Sequence, residues 1–227
     1  MITIAVYITG DTHGNYSDFI SRFNNIHLDN NDVVIICGDF CFLWSDEKLN
    51  KHIADLTKFP CTICYVEGNH DDYEKLKEYD IEEWNGGKVQ RIAENIYHLM
   101  RGNVFTIENK KFFAMGGAFS DGRIEANKGR IWWDDEIPSA EEFDTAVYNL
   151  KKHDYKVDYV ITHTAPKTMI HRMRREFHRE EDRLTEFFEW IFRDCSYKYW
   201  FCGHFHFDET FEEYKFHVMN KNVIKIE

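Results

Sequence analysis

Five short clusters in this sequence carry side chains that hold metal ions and move protons. They are Asp11 and His13 in Asp-Thr-His, Asp39 after Gly38, Asn69-His70-Asp71 after Gly68, the lone His163, and His204 with His206 in Gly-His-Phe-His. Two carboxylates, one amide oxygen and several imidazoles are hard-to-borderline donors, with no thiolate among them. Such a set suits Mn, Fe, Zn, Ni or Co better than Cu(I) or an iron–sulfur cluster. Asp11, His13, Asp39, Asn69, His163, His204 and His206 make seven donors. That exceeds what one tetrahedral zinc requires, so two neighbouring ions are the natural expectation.

The elements that must position these donors are legible from the apolar runs before them. Residues 3–9, 32–37, 61–66, 157–162 and 198–202 are apolar almost without alternation, as in strands buried on both faces of an α/β sheet. Gly10, Gly38, Gly68 and Gly203 follow four of these runs, and Asp11, Asp39, Asn69 and His204 come next. The donors would then lie along the carboxyl edge of the sheet, where open α/β sheets bind ligands. Helices are expected over residues 16–25 (Phe19, Ile20, Phe23), 46–59 (Leu49, Ile53, Leu56), 139–152 and 180–193 (Leu184, Phe187, Phe188, Ile191). Ser139 three residues before Glu142 forms a capping-box pattern. The early strand–helix–strand order implies parallel, right-handed crossovers. Residues 210–216 and 222–227 read as short antiparallel strands with a turn near Met219-Asn220. No repeat or linker interrupts the chain, so residues 1–227 are expected to form one domain.

Asp11-x-His13, Gly38-Asp39, Gly68-Asn69-His70-Asp71, His163 and Gly203-His204-x-His206 together resemble the five ordered motifs of the calcineurin-like metallophosphoesterase superfamily. The resemblance implies a mixed α/β fold, a four-layer α/β/β/α sandwich with helices outside the sheets. It also implies a dinuclear site in which Asp11, His13 and His206 hold one ion and Asn69, His163 and His204 the other. Asp39 would bridge them, and His70 would assist the leaving group. The implied reaction is hydrolysis of a phosphate ester by a hydroxide shared between the ions. Many members continue the second motif as Gly-Asp-x-x-Asp, the later Asp orienting the acid histidine. Here that position is Phe42, which makes Asp71 the candidate to steer His70 as a second catalytic residue. The Arg that follows this motif in protein phosphatases is missing too.

Substrate contacts are expected from two regions. Residues 116–138 form a long segment carrying Arg123, Arg130, Trp132 and Trp133; the two arginines would bind phosphate, or the segment is a flap with its Trp rings packed inward. Residues 167–183 hold six basic side chains among acids, with Arg172 and Glu176 at i, i+4. They read either as an exposed salt-bridged helix face or as a basic rim. Twenty-eight basic residues against 40 acidic ones give a formal charge of −12, which argues against nucleic acid or an anionic membrane as partner. A phosphorylated small molecule or protein is the expected substrate, as monoester rather than diester; a silent scaffold is disfavoured because no ligand is missing. No apolar run of about 18 residues is present, residues 1–9 do not read as a signal peptide, and six cysteines are too few for a disulfide scaffold. A cytoplasmic location is expected. Cys61 and Cys64, at i and i+3 on a strand, should face opposite ways as reduced core residues.

Overall fold

The computed structural model describes residues 4–43 and 47–226. Thr3, Asp46 and Glu227, at the ends of expected elements, and the side chain of Leu49 lie outside the described residues. The first strands are β1 (Val6–Thr9), β2 (Val33–Ile36) and β3 (Thr62–Tyr65), buried almost throughout. They pair in parallel, with Val6 opposite Val33 and Val33 opposite Thr62. Between them run α1 (Tyr16–Ser21) and α2 (Glu47–Leu56), and a single turn of helix, α3 (Tyr73–Leu76), follows β3.

Residues 81–115, for which the apolar runs raise no expectation, supply five more strands. These are β4 (Ile81–Trp84), β5 (Gly87–Ala93), β6 (Ile96–Leu99), β7 (Asn103–Ile107) and β8 (Lys110–Met115). Two-residue turns at Asn85-Gly86 and Glu108-Asn109, all at positive φ, close the β4–β5 and β7–β8 hairpins, as the strand twist requires. α4 (Ala140–Lys152) begins at the Ser139–Glu142 capping box and leads into β9 (Tyr159–Thr162). α5 (Lys167–Arg172), α6 (Asp182–Asp194) and β10 (Tyr199–Cys202) follow.

The expected C-terminal hairpin divides between the two sheets. β11 (Glu209–Phe211) and β12 (Phe216–Val218) pair antiparallel, and the chain turns between them at Lys215, φ 51°. β13 (Ile224–Ile226) crosses to pair antiparallel with β1. Met219-Asn220 is therefore not a hairpin turn. It passes against Gly10, where a Cβ would sit 2.2 Å from the Met219 carbonyl oxygen, so that contact requires glycine.

The result is a seven-stranded sheet, β13-β1-β2-β3-β6-β5-β4, and a six-stranded sheet, β11-β12-β10-β9-β8-β7. Val6, Ile8, Phe105, Phe112, Tyr159 and Phe201 fill the space between them. Phe19, Phe23 and Leu56 pack outside the first sheet, and Phe143, Leu184 and Phe188 outside the second. Those are the four layers the motifs implied. Cys64 lies in the inter-sheet core and Cys61 in the outer one, and no disulfide joins any of the six cysteines.

Candidate metal centre

The loops after β1, β2, β3, β9 and β10 converge at one end of the paired sheets, so residues 11 to 206 meet in one place. Four of the donors reach it through strained backbone. His13, Asp39, His204 and His206 adopt φ of 45°, 49°, 68° and 57°, a region that costs a side-chain-bearing residue about 1–3 kcal/mol and persists only where the surroundings enforce it. Glycine neighbours make the close approach possible. A Cβ on Gly38 would lie 2.1 Å from His163 Nδ1, and one on Gly203 2.1 Å from Asp11 Oδ1.

The donors form two groups that share Asp39. In the first, His13 Nε2 and His206 Nε2 are 3.0 Å apart. Asp11 Oδ2 lies 3.8 Å from the former and 3.3 Å from the latter, and Asp39 Oδ2 is 3.7 Å from His13 Nε2. In the second, Asp39 Oδ1 lies 3.4 Å from His163 Nε2. His163 Nε2 and His204 Nδ1 are 3.0 and 3.1 Å from Asn69 Oδ1. Asp39 Oδ2 is buried and accepts no hydrogen bond among the described residues, a costly state for a carboxylate unless a cation completes it. Acidic oxygens, an amide oxygen and imidazole nitrogens at this spacing fit divalent metal.

The electrostatics agree. Burial alone would raise Asp39, yet the charges of His163, His70 and His13 hold it well below the usual carboxylate range. Against its own burial, His163 is raised to about 10 by Asp39 and Asp11. Burial and the neighbouring His163 push His204 down to about 3. His163 Nδ1 faces the Cys37 carbonyl at 2.8 Å, which leaves Nε2 turned toward the centre.

A layer of buried polar groups fixes these loops. The Arg22 guanidinium donates to the carbonyls of Gly10, Asp11 and Asn220 at 3.0, 2.7 and 2.8 Å. Asp71 accepts from the backbone N–H of Phe40, Cys41 and Gly68 at 3.3, 2.7 and 2.8 Å. Its oxygens thus tie the second and third loops together through backbone, and among the described residues none of their hydrogen bonds runs to the His70 ring expected from the sequence. The His70 N–H donates to Asp39 Oδ1 at 2.9 Å. Phe42 is wholly buried against Phe40, rings 4.9 Å apart, as part of the outer core. Behind Gly68, Tyr73 donates to its carbonyl at 2.9 Å and receives a bond from Arg101, which pairs with the buried Glu67.

In the segment 116–138 the Trp rings pack inward, as the flap alternative expected. Glu136, fully buried, accepts from Ser120 N–H and Oγ at 2.9 Å each, Trp133 N–H at 3.0 Å and Arg123 at 2.5 Å. Ser120 Oγ accepts from Asn69 Nδ2 at 3.1 Å. Arg123 is held between the Phe119 and Trp132 rings, 4.2 and 4.8 Å from their centroids. Its charge serves Glu136, and Trp132 and Trp133 are buried. Arg130 is exposed. The centre opens into a cavity of about 200 Å³ lined by Asp39, Asn69, His70, Phe119, Asp121, His178, His204 and His206, and neither expected arginine lines it. Phe119 and His178 are the contributors that sequence reasoning missed, since neither follows a strand-end glycine, whereas Asp121 lies in the segment expected to reach the substrate. α5 is also shorter than an Arg172–Glu176 pair needs, and Arg172 instead pairs with Glu213 at 2.9 Å.

A family model of the calcineurin-like phosphoesterases matches residues 4–208. No curated protein matches the sequence significantly. Among solved structures, a candidate 5′-nucleotidase from Staphylococcus aureus, in complex with α-ketoglutarate, is similar at 16% identity and TM-score 0.50. That match covers 98% of this chain and 50% of the other, so this chain spans about half its length. The phosphopantetheinyl hydrolase of Mycobacterium tuberculosis is 9% identical, with 96% and 88% covered and TM-score 0.46. A protein of unknown function from Aquifex aeolicus is 14% identical, with 98% and 96% covered and TM-score 0.40.

Proposed function

The chain belongs to the calcineurin-like phosphoesterase family, and from that premise we propose that it is a metal-dependent hydrolase of phosphate monoesters with a two-ion centre. The observation that carries the proposal is the placement of Asp39, whose two carboxylate oxygens face different donor groups. Asp11, His13 and His206 would hold one ion and Asn69, His163 and His204 the other, with Asp39 common to both. When bound, the ions supply Lewis-acid charge for the phosphate oxygens and an acidified water for in-line attack. Mn, Fe, Zn, Ni and Co all suit these donors.

The chain's own groups do the rest. His70 lines the cavity with its ring 5.6 Å from that of His13, placed to give a hydrogen bond or proton to the departing oxygen. Phe119, Asp121 and His178 close one side of the cavity, which supports a phosphate carrying one substituent rather than two. One shared inter-sheet core supports reading residues 1–227 as one domain, and six cysteines outside any disulfide support a reducing, cytoplasmic compartment. Among the described residues no helix is long and apolar enough to cross a membrane.

The test is a comparison of nitrophenyl phosphate with bis-nitrophenyl phosphate after reconstitution with Mn, Fe, Zn, Ni or Co. A higher kcat/KM for the monoester supports the proposal, and a diester preference reverses it. No turnover of either with any metal would leave the scaffold reading.

A further inference from the structure

The wall formed by Phe119, Asp121 and His178 lies outside the two donor groups that share Asp39, yet each of its residues is held in position. Phe119 and Ser120 are adjacent residues held by two buried carboxylates. Glu181 accepts the Phe119 N–H at 3.4 Å, and Glu136 accepts both the N–H and the hydroxyl of Ser120. This anchorage lets Ser120 point at Asn69 while Phe119 enters the cavity. Beside it His178 lies against Phe119, ring centroids 5.5 Å apart and planes at 33°. Its Nε2 is 3.2 Å from Asp121 Oδ1. The His178 side chain is 22% exposed and that of Asp121 72%, so the imidazole lines the wall and the carboxylate stands at the mouth.

Resting on the phosphoesterase reading, we propose that Phe119, Asp121 and His178 form the leaving-group subsite, and that it takes an uncharged alcohol bearing a flat ring. Two ring planes meeting at the cavity edge offer stacking and edge contacts that an alkyl chain does not exploit. His178 engages one Asp121 oxygen, and a carboxylate has a second with which to accept a hydrogen bond from the ring's substituents. The same carboxylate repels a leaving group that carries a further negative charge. Substrates with a second phosphate or a carboxylate on the leaving group are thereby disfavoured.

The experiment measures kcat/KM of the metal-reconstituted protein for benzyl phosphate and butyl phosphate, whose leaving alcohols are of similar basicity, with inhibition by inorganic phosphate in parallel. Phe119→Ala and His178→Ala are expected to lower the benzyl-to-butyl ratio about three- to tenfold, the size of one aromatic contact. Inhibition by inorganic phosphate, which reports on the metal side alone, stays within about twofold of wild type. Phe119→Leu replaces the alanine variant if that one does not fold. Asp121→Asn is expected to raise kcat/KM for 4-carboxybenzyl phosphate relative to benzyl phosphate about threefold, the effect of removing one nearby solvent-screened charge. An active wild type whose ratios survive all these changes overturns the subsite and leaves the phosphoesterase reading standing. A wild type that cleaves none of these esters, nor nitrophenyl phosphate, and shows no inorganic phosphate binding by calorimetry overturns both.

Discussion

Ser120 makes a prediction that separates metal positioning from catalysis. Its hydroxyl donates to Glu136 Oε1 at 2.9 Å and accepts from Asn69 Nδ2 at 3.1 Å. The Asn69 amide is thereby oriented with Oδ1 toward His163 and His204. Ser120→Ala leaves a buried N–H without that partner, at a cost of about 1–3 kcal/mol. Turning the amide over would relieve that cost by presenting an NH₂ group where a cation requires oxygen. Glu136 keeps its bonds to Trp133 and Arg123, so the loop itself should survive. Loss of an orienting partner of this kind lowers metal affinity about 10- to 100-fold. Competition between the protein and a chromophoric chelator for Mn²⁺ would read this directly. The expected result is one weakened site and one near wild type. Two unchanged sites would show that Ser120 does not orient Asn69, and equal weakening of both would point to general damage.

Other perturbations follow from the same geometry. Asp39→Asn should lower the occupancy of both metal positions, read by metal analysis of the purified variant; two retained equivalents would refute the shared carboxylate. His70→Asn should slow alkyl phosphates at least tenfold more than nitrophenyl phosphate, whose leaving oxygen needs little protonation, at unchanged metal content; equal slowing would place His70 elsewhere. Arg123→Ala should lower stability by about 2–4 kcal/mol, read by denaturant titration, because it leaves the buried Glu136 short of its charge partner. The monoester-to-diester ratio should not change in that variant, and a selective monoester loss would return Arg123 to the phosphate.

How much of this was written in the chain depends on the range of the interaction. β1, β2, β3, β9 and β10 are apolar on both faces because sheets and helices cover them, so their runs stand out, and each donor follows within four residues. β4 to β8 escape that criterion. β5 and β7 carry exposed residues at Lys88, Arg91 and Thr106, and their hairpins are set by positive-φ turns rather than by hydrophobicity. Pairing partners are equally hidden, which is why residues 222–227 were expected beside residues 210–216, whereas β13 pairs with β1. At the site, Asp11, Asp39, Asn69 and His204 stand out in the chain because each directly follows a strand-end glycine. Phe119 and His178 are 59 positions apart, 178 minus 119, and nothing local ties them together.

Asp71 and Arg123 show why the type and spacing of a residue do not settle its work. Each was expected to face the reaction, yet each meets a demand that a convergent loop site creates. Five loops brought to one point leave backbone N–H and carbonyl groups that no strand or helix can satisfy. Arg22 takes the carbonyls behind Asp11, Asp71 the N–H groups behind Asp39 and Asn69, Tyr73 the Gly68 carbonyl, and Glu136 the N–H of Ser120. All these groups are buried or nearly so, and in that setting a hydrogen bond to a charged group is worth about 1.5–3 kcal/mol. The strained φ values at His13, Asp39, His204 and His206 need support of that size. Charged residues inside the motifs therefore fall into two sets by what they meet: those facing one another across the cavity are available to metal, and those facing backbone hold the first set still.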